Sequence, residues 1–202
     1  MKINYYKFGL SKEFMDYSFK LPKEIRSKLK QSDKESYLKI FKRLDKWYKK
    51  IRSGETHFNL LFSGVSGSGK SSTGSILVKR FLEDGVYAIR MSMQGLIQTY
   101  FKEWVIPEIA LTTKVLFIEE AGNEIPTNQE HNKYVFENIL KFRIENELPT
   151  ILASNYSKKS LSDMYGEVVE SILENRYFSV VFPKTDLREI VSEYKKKKFF
   201  KE

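Results

Sequence analysis

The chain has 202 residues, 41% of them hydrophobic and 14% aromatic, so it can bury the core of one domain with at most a short appendage. It has no cysteine and two histidines, which excludes a disulfide framework and a cysteine-based zinc site and argues against a histidine metal site. No apolar run is long enough to span a membrane, and the first residues lack a signal-peptide core. We therefore expect a soluble, cytoplasmic protein.

The net charge of +9 is unevenly distributed. Residues 1–56 contain 16 Lys or Arg and 7 Asp or Glu, whereas residues 57–202 contain 19 of each kind. A second basic cluster, residues 195–198, lies near the end of the sequence. Basic ends on a neutral body indicate a polyanion partner such as DNA, bound without sequence preference. The alternative is a solvated surface with no partner.

The first long element is a helix over residues 32–51. Ser32 and Glu35 have the spacing of a capping box, and Ser53-Gly54 ends the helix. Apolar residues recur at helical spacing and predict a core contact: Tyr37, Ile40, Phe41, Leu44, Trp47, Tyr48 and Ile51. The opposite face is either a nucleic-acid surface or a solvated one, and it holds Lys39, Lys42, Arg43, Lys46, Lys49 and Lys50.

Strands and helices then alternate along the chain. Short apolar strands are predicted at 58–62, 86–91, 114–118, 149–153 and 178–182. Helices are predicted at 70–83, with Gly85 at its end, at 94–104 and at 132–146, and 160–175 is expected to be mostly helical. This order predicts an α/β fold, a doubly wound parallel sheet with helices on both faces.

The stretch "GVSGSGKSS", residues 64–72, lies between the first of these strands and the helix that follows. Gly64, Gly69, Lys70 and Ser71 fill the P-loop pattern G-x-x-x-x-G-K-[ST] in its required context. Small side chains let backbone N–H groups approach phosphate oxygens, and the helix start adds positive potential. We therefore predict a site for ATP and Mg²⁺, in which Lys70 contacts the β- and γ-phosphates and Ser71 is a metal ligand. The predicted nucleotide-binding residues are Gly64, Ser66, Gly67, Ser68, Gly69, Lys70, Ser71 and Ser72.

Polar residues follow two later strands. Glu119 and Glu120 end the strand "VLFI", and in P-loop ATPases the first such acid orders Mg²⁺ while the second polarises the attacking water. Glu119 is thus a candidate metal ligand, although Asp is usual there, and Glu120 is the candidate base. Asn155 ends "TILAS" and could orient the water or contact the γ-phosphate. Taken alone, these residues would also suit solvated turns.

These motifs resemble the AAA+ ATPases of the DnaC/DnaI helicase-loader and IstB transposition-helper group. The resemblance runs from about Gly9 to Arg188. It includes "GLSKEFMDYSF" beside the adenine pocket, "LLFSGVSGSGKSS" and "VLFIEEAGNE" as Walker A and B, "ILASNYS" with Asn155 as sensor 1, and "YGEVVESILENRYFSVVFPKTDLRE" as the ending. It implies strand order 5-1-4-3-2 and an ATP-dependent loader or helper of a replicative DNA helicase, forming a homo-oligomer on ATP binding.

The sequence departs from that group at several positions. Glu119 replaces Asp, and Ile172 stands where the group has its arginine finger. Arg176, one helical turn later, is the candidate replacement, with Arg143 as a second candidate. The segment before "KVLF" is short where the group has a DNA-contacting helical element. A separate helicase-binding domain does not fit before Gly9, so we expect the partner to bind the basic helix, the tail or the body.

We expect three regions: a basic helical extension at 1–53, an AAA+ core at 54–190 and a basic tail at 191–202. Three alternatives to the helicase loader remain open. An IstB-like transposition helper would bind duplex DNA strongly as an ordered oligomer. An ATP-gated interaction module would hydrolyse little, as the changes at 119 and 172 suggest. A small-molecule or nucleotide kinase is disfavoured by the two glutamates and Asn155, and by the lack of an acceptor-lid segment.

Overall fold

A five-stranded parallel sheet lies at the centre of the protein, in a computed structural model that describes residues 3–14, 18–124 and 129–199, without the side chains of 197–199. The strands are β1 (Asn59–Ser63), β2 (Ala88–Ser92), β3 (Val115–Glu119), β4 (Thr150–Ser154) and β5 (Tyr177–Val181). They lie in the order β2-β3-β4-β1-β5, every pair parallel. The predicted α/β fold and strand order are confirmed, and each strand lies within two residues of its predicted bounds.

Helices cover both faces of the sheet. They are α1 (Lys23–Lys28), α2 (Gln31–Ser53), α3 (Lys70–Glu83), α4 (Met93–Glu103), α5 (Glu108–Thr112), α6 (Gln129–Glu145), α7 (Lys158–Tyr165), α8 (Glu167–Arg176) and α9 (Arg188–Phe199), with 3-10 turns at Tyr5–Phe8 and Lys12–Phe14. One core lies between the sheet and α2 with α3, and the other between the sheet and α4, α6, α7 and α8. None of the described helices is both long and apolar enough to cross a membrane.

Helix α2 begins earlier than its sequence suggested. The chain enters from extended backbone at Lys30, and no side chain caps the helix start. Ser32 therefore lies inside the first turn, where its carbonyl accepts a hydrogen bond from the Ser36 hydroxyl. Glu35 bonds instead to the Gln31 side chain at 2.9 Å, so the predicted capping box is wrong. The predicted end is correct, because Gly54 adopts the left-handed conformation that closes the helix.

The inner face of α2 belongs to the core of the sheet. Six of its seven predicted apolar residues are buried, and Phe41 is partly buried. Three inner side chains also make hydrogen bonds: the Tyr37 hydroxyl to the Ser68 carbonyl at 3.0 Å, Trp47 Nε1 to the Phe58 carbonyl at 2.8 Å, and the Tyr48 hydroxyl to Asp84. Helix α2 is therefore fixed to the loop after β1, to the entry of β1 and to the end of α3.

Arg143 of α6 is fully buried at the amino-terminal end of the sheet. Its guanidinium donates to five oxygens at 2.8–3.2 Å: the carbonyls of Ala110, Leu111, Thr113 and Pro149, and the Thr150 hydroxyl. Burial lowers its pKa to about 10. An arginine enclosed in this way cannot reach the phosphate of a neighbouring subunit, so its interpretation as an arginine finger is wrong.

We expect Arg143→Met to lower the free energy of unfolding by about 3 kcal/mol or more, because several buried carbonyls lose their donor together. Urea denaturation measures the change. Lys141→Met is the matched control, since Lys141 is an exposed cation of the same helix and its surface ion pair is worth about 0.5 kcal/mol. Equal destabilisation by the two substitutions would contradict a stabilising role for Arg143.

Candidate nucleotide-binding site

The loop between β1 and α3 is built from backbone, as its sequence predicted. Gly67 and Gly69 have φ angles of 78° and 90°, which side chains other than glycine rarely adopt. A Cβ on Gly67 would also lie 1.9 Å from Asp186 Oδ1. The following segment holds the loop in place, because the Leu187 N–H donates to the Gly67 carbonyl at 2.9 Å. Helix α3 begins at Lys70, so its N-terminal N–H groups meet the loop.

Lys70 is the buried cation of this loop. Its ammonium donates to the carbonyls of Gly64 and Val65, both at 2.8 Å. A third bond, 2.9 Å long, goes to Oδ1 of Asn155 beyond the end of β4. Burial, with a smaller contribution from the positive charge of Arg188, lowers the pKa of Lys70 to about 8. The structure thus brings together the P-loop lysine and the candidate sensor, two residues distant in sequence.

The loop after β3 lies beside the end of β4. The Ala121 N–H donates to the Ala153 carbonyl at 3.1 Å, and the Ser154 hydroxyl donates to the Ala121 carbonyl at 2.7 Å. Glu120, the residue before Ala121, takes a left-handed φ of 61°, a strained conformation for a glutamate. Its exposed side chain lines the same cleft as Asn155. The candidate base and the candidate sensor therefore face one space.

Glu119 has a different environment from the one predicted. Its two carboxylate oxygens accept from the Arg90 guanidinium of β2 at 2.7 and 2.8 Å, and it does not line the cleft. Arg90 also donates to the Gly9 carbonyl at 3.2 Å and lies over the Phe14 ring. Arg90 could not be predicted as a partner of Glu119 from the sequence, because only the register of β2 on β3 places the two residues side by side.

The residues present fit Mg²⁺ in part. Within the described chain no three His, Cys, Asp or Glu side chains cluster as a metal site. Magnesium bound to a nucleotide needs only one or two protein ligands, however. Ser71 lines the cleft as predicted. Of the two carboxylates at the end of β3, Glu120 lines the cleft, whereas Glu119 forms an ion pair with Arg90.

The cleft has a volume of about 990 Å³, the size of a small-molecule site. Its polar lining includes the P-loop, Glu120 and Asn155. Its apolar lining comes from Phe14, Leu21, Pro22, Ile25, Phe41, Ile76, Val191 and Tyr194. The segment predicted beside the adenine pocket, 9–19, contributes Lys12, Glu13, Phe14 and Ser18, while its residues 15–17 lie outside the described chain. This mixture of polar and apolar lining suits a ligand that combines an aromatic base with a charged phosphate chain.

Arg188 is a second cation at the P-loop that the predicted site did not include. Its side chain bonds to the Ser66 hydroxyl, and it lines the cleft close enough to Lys70 to lower its pKa. The sequence signal was the D-x-R stretch at Asp186–Arg188. Two neighbouring positive charges, those of Lys70 and Arg188, favour binding of a multiply charged anion.

The other predicted binding residues differ in position. Ser66, Gly67, Gly69 and Ser72 line the cleft, whereas Gly64 and Ser68 do not. Ser68 is fully buried, and its carbonyl accepts the bond from Tyr37. Ser68 thus joins the loop to α2.

Arg176 does not meet this site within one chain. Helix α8 does extend to Arg176, as the proposed replacement of Ile172 required. Arg176 is exposed beside the start of β5, where its carbonyl accepts from the Asn59 side chain at 3.1 Å, and it does not line the cleft. Ile172 packs against the second core. A role for Arg176 in catalysis therefore requires a second copy of the chain.

The sequence matches no protein family model and no curated protein, but solved structures match its fold. A structure of the DnaC helicase loader is 19% identical, with a TM-score of 0.66 over 86% of this chain and 100% of that one. A structure of DnaI is 16% identical, with a TM-score of 0.63 over 83% of this chain and 94% of that one. A structure of the replication initiator DnaA, bound to AMPPCP and single-stranded DNA, is 18% identical. Its TM-score is 0.60 over 90% of this chain and 57% of that one.

The chain thus has the same α/β fold as these DnaC, DnaI and DnaA structures. The resemblance to the DnaC/DnaI loaders predicted from the motifs is confirmed at the level of the fold.

We expect triphosphate binding at Lys70 to take up a proton near pH 8. The pKa of about 8 in the free protein should rise when phosphate charge stabilises the ammonium. Binding then requires the protonated form, so the affinity for ATP should fall as pH rises above about 8. Titration calorimetry in buffers of different ionisation enthalpy measures the proton uptake. Lys70→Arg, which stays charged, should abolish it, and an affinity unchanged through pH 9 would contradict the assignment.

Proposed function

We propose that this chain is an ATP-dependent loader or helper that acts on a replicative DNA helicase. The convergence of Lys70, Glu120 and Asn155 on one cleft is the observation on which the proposal depends. The fold comparison supports it, because the match extends over the whole chain of a DnaC helicase loader structure. DNA is a proposed second partner, since the matching DnaA structure is described as bound to single-stranded DNA.

In this proposal the triphosphate lies against the P-loop, and the base packs against the apolar residues that line the cleft. The Lys70 ammonium binds phosphate oxygens in exchange for its loop carbonyls, and Arg188 adds a second positive charge. Glu120 accepts the proton of the attacking water, which Asn155 orients. Magnesium, held by Ser71 and by Glu119 once that carboxylate leaves Arg90, would neutralise phosphate charge.

Catalysis in this proposal is completed between subunits. Arg176 of a second copy would approach the γ-phosphate, which is consistent with its exposed position away from its own cleft. The chain would therefore form a homo-oligomer when ATP binds. Residues 1–53 and 191–202 would provide basic partner-binding regions around the ATPase core at 54–190.

The pair formed by Arg90 and Glu119 favours a second candidate, an ATP-gated interaction module with little hydrolysis. Both carboxylate oxygens of Glu119 bond to the guanidinium, so the usual metal-ordering acid is occupied. Such a module would bind ATP and change partners without turning it over. Steady-state hydrolysis, with and without single-stranded DNA, separates the two functions.

We expect Glu120→Gln to keep ATP binding and to lower turnover by about a hundredfold, the scale of lost general-base catalysis. Arg176→Ala should also lose turnover with ATP affinity intact. Because one variant keeps the base and the other keeps the arginine, mixing them should restore part of the activity. Normal hydrolysis by Arg176→Ala alone would assign the finger to another residue or to a partner.

A pull-down from native cell extract tests the partner. With ATP present, Glu120→Gln should retain a replicative helicase, because this variant binds ATP but hydrolyses it slowly and so stays in its ATP-bound form. Lys70→Ala is the matched control: it should remain folded by thermal melting but fail to bind ATP, and so release the helicase. Recovery of a transposase in place of the helicase would contradict the loader role, as would equal recovery with both variants.

A further inference from the structure

The outer face of α2 is a continuous row of positive charge. Its six lysines and arginines between 39 and 50 are exposed, and they lie opposite the buried stripe of the same helix. At 1.5 Å per residue they extend over roughly 16 Å. Among the described residues, no acidic side chain lies within ion-pair distance of Lys39, Lys42, Arg43 or Lys46, whereas Lys49 pairs with Asp45 at 2.8 Å. Four cations of this row are thus left for an external partner.

Helix α1 extends the charged surface. A shallow cavity of about 430 Å³ lies between α1 and the first turns of α2, and its lining includes Lys23, Arg26 and Lys34. Gln31 and Leu38, which also line it, lie on the side of α2 that holds the row. The basic surface therefore extends from α1 to the row on α2, with the exposed carboxylate of Glu35 between Gln31 and Lys39.

The chemistry of this face fits phosphate rather than bases. All four aromatic side chains of α2 point inward, buried or partly buried. Proteins that bind single strands stack bases on exposed aromatic rings, whereas a row of cations fits the dense phosphate charge of a duplex. We propose that the outer face of α2 docks the backbone of duplex nucleic acid, and that Tyr37 transmits this docking to the P-loop.

The inner face of α2 supplies the connection. The Tyr37 hydroxyl donates to the Ser68 carbonyl inside the P-loop. The other hydrogen bonds of the inner face lie farther along the helix, at the entry of β1 and the end of α3. In this proposal a duplex on the outer face stabilises the position of α2 in which Tyr37 bonds to the loop, and so keeps the loop ordered before a nucleotide arrives. Nucleotide affinity therefore rises when the duplex is bound, and by linkage the reverse also holds.

The surface is tested first, with the full chain and no nucleotide. A random-sequence duplex of about 20 base pairs is titrated between about 50 and 200 mM salt. Replacing Lys39, Lys42, Arg43 and Lys46 by Gln should reduce the slope of log affinity against log salt by about 3 to 4. The control replaces four exposed lysines elsewhere, Lys102, Lys114, Lys133 and Lys159, and so has the same net charge.

An equal loss of duplex affinity in the two quadruple variants would overturn the proposed docking surface, because net charge alone would then explain binding. Failure of the wild-type chain to bind duplex at low salt would also overturn it and would favour an acidic protein partner. Neither outcome depends on hydrolysis or on a helicase, so failure of this surface is distinct from failure of the loader proposal. The coupling rests on the proposed nucleotide site.

The coupling is measured as the ratio of AMPPCP affinities with and without saturating duplex. We expect about a fivefold increase or more in the wild-type chain. Tyr37→Phe, which keeps the ring and removes the hydroxyl, should bring the ratio close to one. Tyr48→Phe is the matched control on the same helix, since its hydroxyl bonds to Asp84 instead of the P-loop, and it should keep the ratio. A ratio of one in the wild type, or an unchanged ratio in Tyr37→Phe, would overturn the coupling.

Discussion

The buried ammonium group of Lys70 joins the parts of the chain that form the cleft. Its three oxygen partners come from the loop after β1 and from Asn155 beyond β4, while its own backbone begins α3. Removing a charged amine from water is costly, and neutral oxygens compensate only in part, which is why its pKa falls. The site is thus arranged around a positive charge that a phosphate group would stabilise better than the protein does.

Arg90 plays a comparable part at the end of β2. It links Glu119 with Gly9 and Phe14, so one guanidinium connects the acid at the end of β3 with the N-terminal segment that lines the cleft. A Cβ on Gly9 would lie 2.0 Å from the Arg90 carbonyl, which shows how closely this segment crosses β2. The environment of Glu119 therefore depends on the N-terminal segment as well as on the sheet.

The parts predicted well from sequence were those with a local physical signal. Five short apolar runs gave the strands, and the glycine-rich loop gave the P-loop, because burial and backbone conformation restrict residue type locally. One error concerned the exact start of a helix, and another concerned contacts between residues distant in sequence. Ser32 looked like a helix cap until the extended entry at Lys30 placed it inside α2. Arg143 looked like a finger because sequence does not reveal that five oxygens enclose it.

Two segments distant in sequence form walls of the cleft: one contains Phe14, Leu21 and Ile25, and the other contains Val191 and Tyr194 of α9. A ligand that contacts both segments would link them without a covalent bond. Opening of either wall would then require loss of the same contacts, so the two segments would open together rather than separately. By mass action, a higher ligand concentration would stabilise the closed arrangement of both walls further. The free energy needed to open the N-terminal wall would therefore depend on the concentration of nucleotide.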